Sequence, residues 1–94
     1  MLVEPLDQSK ARRLIREILL KGSVTFSGHS QAELAKDDLS SVDAVNVLRG
    51  GIVDPPELQS GTWRYRVRTD RIAVVIAFRS ESELVVVTAW RNKR

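Results

Sequence analysis

Arginine, tryptophan and histidine supply the chemistry available to this chain, and the arginines are concentrated. The run Trp63-Arg64-Tyr65-Arg66-Val67-Arg68 alternates without a break. As a strand it sends Trp63, Tyr65 and Val67 to one face and Arg64, Arg66 and Arg68 to the other. Guanidiniums set side by side repel one another unless water or an anion screens them. The group is planar, permanently charged and suited to bidentate contact with phosphate. The plainer reading is an edge strand whose arginines discourage edge-to-edge association. Tyr65 and Trp90 lie beside arginines, where a ring can stack a base while guanidinium holds the phosphate. Both rings are equally acceptable as core. His29 follows Gly28 at the start of a helix, and imidazole takes and gives protons near neutral pH. A cap or a half-buried structural histidine is the alternative. Arg91, Lys93 and Arg94 form a basic tail at a strand exit, a place for phosphate contacts or simply a solubilising end.

Other chemistries are excluded by composition. The chain has no cysteine and one histidine, which removes disulfides, thiolate sites and histidine-rich metal clusters. Glu33, Asp37, Asp38, Asp43, Asp54 and Glu57 show no metal-loop spacing, and no glycine-rich phosphate loop or nucleophile elbow occurs. No metal or cofactor is expected. The longest apolar stretch, Ile72 to Phe78, is far short of the ~20 residues that span a bilayer. The first ten residues lack the basic and apolar regions of a signal peptide, so a cytoplasmic location and no membrane partner are expected. Charge is divided unevenly along the chain. Residues 1–63 hold 7 Lys or Arg against 9 Asp or Glu, whereas residues 64–94 hold 8 against 3. The basic excess lies in the part that reads as sheet, and it points to an anionic partner, most often nucleic acid.

The elements that must position these residues form a single domain over residues 1–94. Ala11, Leu14, Ile15, Ile18 and Leu19 follow helical spacing between Asp7 and Lys21, with Asp7 or Ser9 as cap and Gly22 as stop. Lys10, Arg12, Arg13 and Arg16 lie on the polar side, either as a binding stripe or as a solvated face. Val24 to Ser27 reads as a short strand or extended link. Ser30 is the expected cap of a helix over Gln31–Lys36, broken at Asp37-Asp38. Ser40 or Ser41 caps another helix, with Val42, Val45 and Leu48 on its buried side and Gly50-Gly51 at its end. Beyond Gly51 the period changes to two. Ile52 to Leu58, interrupted by Pro55-Pro56, is irregular or an edge. Strands follow over Thr62–Arg68, Ile72–Arg79 and Glu83–Trp90, with Val74, Ile76, Val85 and Val87 expected in the core and Trp63 with them. The predicted class is α+β, with N-terminal helices packed on an antiparallel meander of about three to five strands.

A resemblance follows from the order of these features. The His29-Ser30 helix start, Leu48-Arg49-Gly50-Gly51, the Trp-Arg-Tyr-Arg-Val strand, the apolar strand Ile72–Phe78 and the final Val85-to-Arg91 strand resemble the family called domain of unknown function 4258. That family is similar to the small RelE-like and BrnT-like toxins of bacterial toxin–antitoxin pairs, and the likeness covers about residues 24–91. The segment from Lys21 to Ser27 is also faintly similar to the motility quorum-sensing regulator toxin, an mRNA interferase.

The resemblance implies a RelE-like α+β domain that cleaves RNA without metal and pairs with an antitoxin protein. It matches His29 to the family's histidine, Arg64 and Arg66 to its basic strand, and Thr88, Trp90 and Arg91 to its terminal strand. Joined by Tyr65 and Arg68 from the alternating strand, the expected catalytic group is His29, Arg64, Arg66 and Tyr65, and the expected RNA contacts are Arg68, Thr88, Trp90 and Arg91. In that chemistry the RNA's own 2′-OH attacks the adjacent phosphorus. His29 serves as acid and base, and the arginines carry the developing charge. One departure is clear: the family's arginines after the histidine fall here near Glu33 and Asp37, whose carboxylates repel phosphate and suit a protein partner. The alternative function is a non-catalytic module that binds nucleic acid or protein with the same basic face. A further one is a toxin that arrests growth by binding another enzyme and leaves RNA intact.

Overall fold

A computed structural model describes residues 1–92; Lys93 and Arg94 of the basic tail lie outside the described residues. Helix α1 (Gln8–Lys21) starts at Asp7, whose carboxylate accepts from the Lys10 amide at 2.8 Å. It buries Ala11, Ile15 and Ile18, a stripe at helical spacing. The helix stops at Gly22 because the turn at Ser82 crosses there: a Cβ on Gly22 would stand 2.2 Å from the Ser82 carbonyl oxygen. Strand β1 (Ser23–Phe26) follows, and then helix α2 (Gly28–Lys36). The cap of α2 is Ser27, not Ser30. Ser27 accepts from the Ser30 amide at 3.0 Å, while Ser30 is fully buried in the first turn and donates back to the Ser27 carbonyl.

Asp38, with φ of 57°, turns the chain out of α2, and helix α3 (Ser41–Gly50) opens on a reciprocal Ser40–Asp43 capping box. Its buried stripe is Ala44, Val47 and Leu48, so the expected stripe through Val42 is corrected: Val42 is 65% exposed. The Ser40 cap sets the phase of the helix, and small Ala44 is the residue turned to the core.

The sheet has strands β2 (Ile52–Val53), β3 (Glu57–Gln59), β4 (Thr62–Arg68), β5 (Ile72–Phe78) and β6 (Glu83–Arg91), in addition to β1. Its order is β1-β6-β5-β4-β2, with β3 also on β4. The α+β class holds, but the sheet is mixed and six-stranded: β1 runs parallel to β6, pairing Ser23 with Glu83 and Phe26 with Val86. Hydrophobic period identifies a strand and not its neighbour, so this pairing was not readable from the sequence. The Ile52–Leu58 region supplies two short edge strands on either side of Pro55-Pro56, both laid along β4.

One face of the sheet meets the helices through Tyr65, Val67, Val74, Ile76, Phe78, Leu84, Val86 and Ala89. Trp63 is half-buried against this cluster. Val85 and Val87, expected in the core, are only half-buried. The reason is a bulge: Val75 pairs with Thr88 but Ile76 pairs with Val86, which leaves Val87 as the extra residue and lets both Val86 and Ala89 face inward. No helix among the described residues is long and apolar enough to cross a membrane.

Ile76 is fully buried at the centre of β5. Ile76→Ala should lower the unfolding free energy by about 2–5 kcal/mol, read from the midpoint of a urea melt. A shift below about 1 kcal/mol would mean that the core lies elsewhere.

Candidate nucleic-acid interface

The alternation of β4 decides the site. Tyr65 and Val67 are buried, and Arg64, Arg66 and Arg68 occupy the opposite face, which the helical core does not cover. Register then places their neighbours. Arg66 pairs with Val75, which pairs with Thr88; Arg68 pairs with Ala73, which pairs with Trp90. The arginines, Thr88 and Trp90 therefore share one face, separated by the small apolar side chains of β5. A cavity of about 130 Å³ opens there, lined by Arg64, Arg66, Val75 and Trp90 together with Asp54, Glu57 and Gln59. The Arg64 Nε is buried and has no hydrogen-bond partner among the described residues.

Repulsion between the other two arginines is relieved from within the chain. The Asp54 carboxylate accepts from Arg66 Nε at 2.8 Å and from Arg68 Nε at 3.0 Å. Asp54 is itself fixed by its amide, which donates to the Arg66 carbonyl at 2.9 Å. Burial alone would raise the Asp54 pKa. The hydrogen bonds and charges of Arg66 and Arg68 together outweigh it and hold the carboxyl below its ordinary range. Asp54 and Glu57 lack metal-loop spacing in the sequence, and Pro55-Pro56 gives their segment an irregular look that conceals their place, with Gln59, beside the arginines. The available signal was Asp54 placed directly before the two prolines, opposite an arginine strand.

Tyr65 is placed elsewhere. The same alternation that exposes Arg64 and Arg66 turns Tyr65 into the core, where it is 0% exposed. Its hydroxyl donates to the Glu4 carboxylate and accepts from the Leu6 amide, both at 2.9 Å, and its ring lies 5.0 Å from that of Phe78. No ring face remains for a base and no free hydroxyl for catalysis. Burial, reinforced by Glu4 and only partly offset by the Leu6 amide, pushes the phenol up to about 12.

Arg91 is also committed. Its amide donates to the Asp37 carboxylate at 2.8 Å, and its guanidinium donates to the Asp37 carbonyl, which closes the C-terminal end of α2. Asp37 thus docks β6 on the end of α2. Glu33 lines a second groove on the other side of Trp90. His29 is exposed in the first turn of α2 and makes no hydrogen bond among the described residues. At about 1.5 Å of rise per residue, it lies about 12 Å along the helix from Asp37 and its bond to Arg91. It is not among the residues that line the arginine cavity. No group of His, Asp or Glu among the described residues could hold a metal ion.

What this face can do chemically is bind phosphate at its arginines and stack a base on Trp90. Comparison with models of known families, with curated proteins and with solved structures finds no match.

Tyr65→Phe should cost about 1–3 kcal/mol, because the Leu6 amide and the Glu4 carboxylate lose their shared partner. The wild type should also lose stability as pH rises above about 10, the ordinary phenol value, toward 12: over that range the unfolded chain releases a proton that the folded Tyr65 keeps. Denaturant melts across this alkaline range should show that limb flattened in the variant.

Proposed function

We propose that this chain is a toxin-like domain that binds single-stranded RNA across the open face of its sheet. The carrying observation is the cavity that Arg64, Arg66 and Trp90 line together, with no hydrogen bond from the Arg64 guanidinium among the described residues. A guanidinium is suited to bidentate contact with a phosphate, which supplies the acceptor that Arg64 lacks. Trp90 supplies a stacking surface next to that position, tolerant of base identity. Splayed, unstacked bases suit such a face, whereas the deep groove of duplex RNA does not admit its side chains. The order of motifs from His29 to Arg91 supports the toxin-like part of the reading. Under it the second partner is an antitoxin protein and the setting is the bacterial cytoplasm.

One observation favours a second reading, a metal-independent endoribonuclease of the mRNA interferase type. His29 is exposed and unbonded, so neither burial nor a capping bond accounts for it. In that chemistry an imidazole exchanges protons at the 2′-oxygen or the leaving 5′-oxygen while guanidinium stabilises the phosphorane.

Arg64→Ala combined with Arg66→Ala should weaken binding to a short oligouridylate. It should also flatten the log–log salt dependence by about one unit for each phosphate that is no longer held. An unchanged slope would remove the arginine face from RNA binding. RNA recovered intact after incubation in chelator is the result expected of a binding domain. Cleavage that falls about 10²–10⁴-fold in His29→Ala, with binding retained, would put the endoribonuclease first.

A further inference from the structure

Asp54 holds a position that its own sequence neighbourhood does not explain. Carboxylates at a strand edge are ordinarily solvated, yet the Asp54 side chain is only 15% exposed and lies against guanidiniums that are 50% and 44% exposed. Its two oxygens are spread between the arginines: Oδ2 accepts from both Nε atoms, and Oδ1 from Arg68 at 3.1 Å. A pair of oxygens sharing one negative charge across two guanidiniums is how a phosphodiester engages such a pair. The neighbouring guanidinium, Arg64, has no such companion at its buried Nε.

We propose that Asp54 is an internal stand-in for phosphate. The open face of β4 then carries two adjacent subsites for a single-stranded nucleic acid: one at Arg64, which lines the cavity without a carboxylate partner among the described residues, and one at Arg66 and Arg68 that RNA enters only by displacing the Asp54 carboxylate. This rests on the RNA-binding reading above. Residues two apart on a strand stand about 6.7 Å from one another, a spacing that successive phosphates of an extended strand can follow. The ligand class is therefore an oligonucleotide with consecutive phosphates, and not a mononucleotide. A lone phosphate offers Arg66 and Arg68 little that the carboxylate does not already supply. A strand held at Arg64 and stacked on Trp90 presents its next phosphate at high effective concentration and adds counterion release. Displacement needs only rotation of the Asp54 side chain, because the backbone bond to Arg66 and the two following prolines hold the main chain in place. Asp54 thus sets a threshold at Arg66 and Arg68 that discriminates against single phosphates there.

The opposite role is a carboxylate that orients the arginines for the ligand, and the two roles predict changes of opposite sign. Asp54→Asn, with Asp54→Ala as a second variant and thermal melts to confirm folding, is titrated with labelled oligouridylate and with uridine monophosphate over a salt series. The expected result is oligouridylate binding tightened roughly tenfold, with a salt slope steeper by about one unit and a measurable gain for the mononucleotide. The gain should disappear when Arg68→Gln is added to Asp54→Asn. Weaker or unchanged oligouridylate binding in folded Asp54 variants, beside a wild type that binds, overturns the role of Asp54 and leaves the RNA reading standing. Failure of wild type and variants alike to bind oligouridylate at low salt overturns the RNA reading and this proposal with it.

Discussion

The two-faced character of β4 is the constraint from which the rest of the molecule follows. One strand must bury Tyr65 and Val67 under the helices while presenting Arg64, Arg66 and Arg68 away from them. Period-two geometry makes these demands compatible, and it also makes them inseparable, since a slip of one residue would exchange arginine for tyrosine in the core. Register is accordingly held at several points. The Tyr65 hydroxyl is bonded into the N-terminal segment at Glu4 and Leu6, β5 pairs along one side, and the short β2 and β3 pair along the other. Gly51 completes the fit at the far end. A Cβ there would stand 2.8 Å from the Arg68 carbonyl oxygen, so only glycine lets the end of α3 lie so close to β4.

Concentrating cations on one strand creates a second constraint, and the chain meets it with a carboxylate remote in sequence. Asp54 lies more than ten residues before the arginines it bonds. Arg91 lies on the face opposite Trp90 by strand alternation, and its guanidinium donates to the carbonyl of Asp37, 54 residues earlier, which closes α2. The basic excess of the C-terminal third therefore overstates the positive charge free to meet a ligand. Arg64 differs in having no carboxylate partner among the described residues. The positive charge left unpaired on this face is consequently local, at one guanidinium in the cavity that Trp90 also lines, and not a uniform basic field.

Strand register brings Arg64, Arg66, Thr88 and Trp90 together on one face, while Tyr65, Arg91 and His29 are each directed elsewhere by a specific physical cause. Tyr65 is turned inward by strand alternation, and Arg91 is held by a helix end. His29 is carried on a helix that runs alongside β6 and whose far end meets Arg91. Arginines and Trp90 thus share one cavity, whereas His29 and Tyr65, the side chains suited to proton transfer, lie outside its lining.

By itself the sequence determined the kinds of element and most of their ends, because periodicity, caps and breakers act over a few residues. The α1 stripe through Ala11, Ile15 and Ile18, the stop at Gly22 and the three long strands are all local statements. The exposed arginine row was legible for the same reason, since alternation needs no knowledge of neighbours. Tertiary structure alone decided the parallel seat of β1 beside β6, the bulge that turned Val86 inward and left Val87 only half-buried, and the phase of α3. It alone brought Asp54 onto the arginines across the two prolines. Each of these depends on which segments meet after the chain closes long loops, and that choice is made by the packing of the whole core, not by the pattern of any one segment.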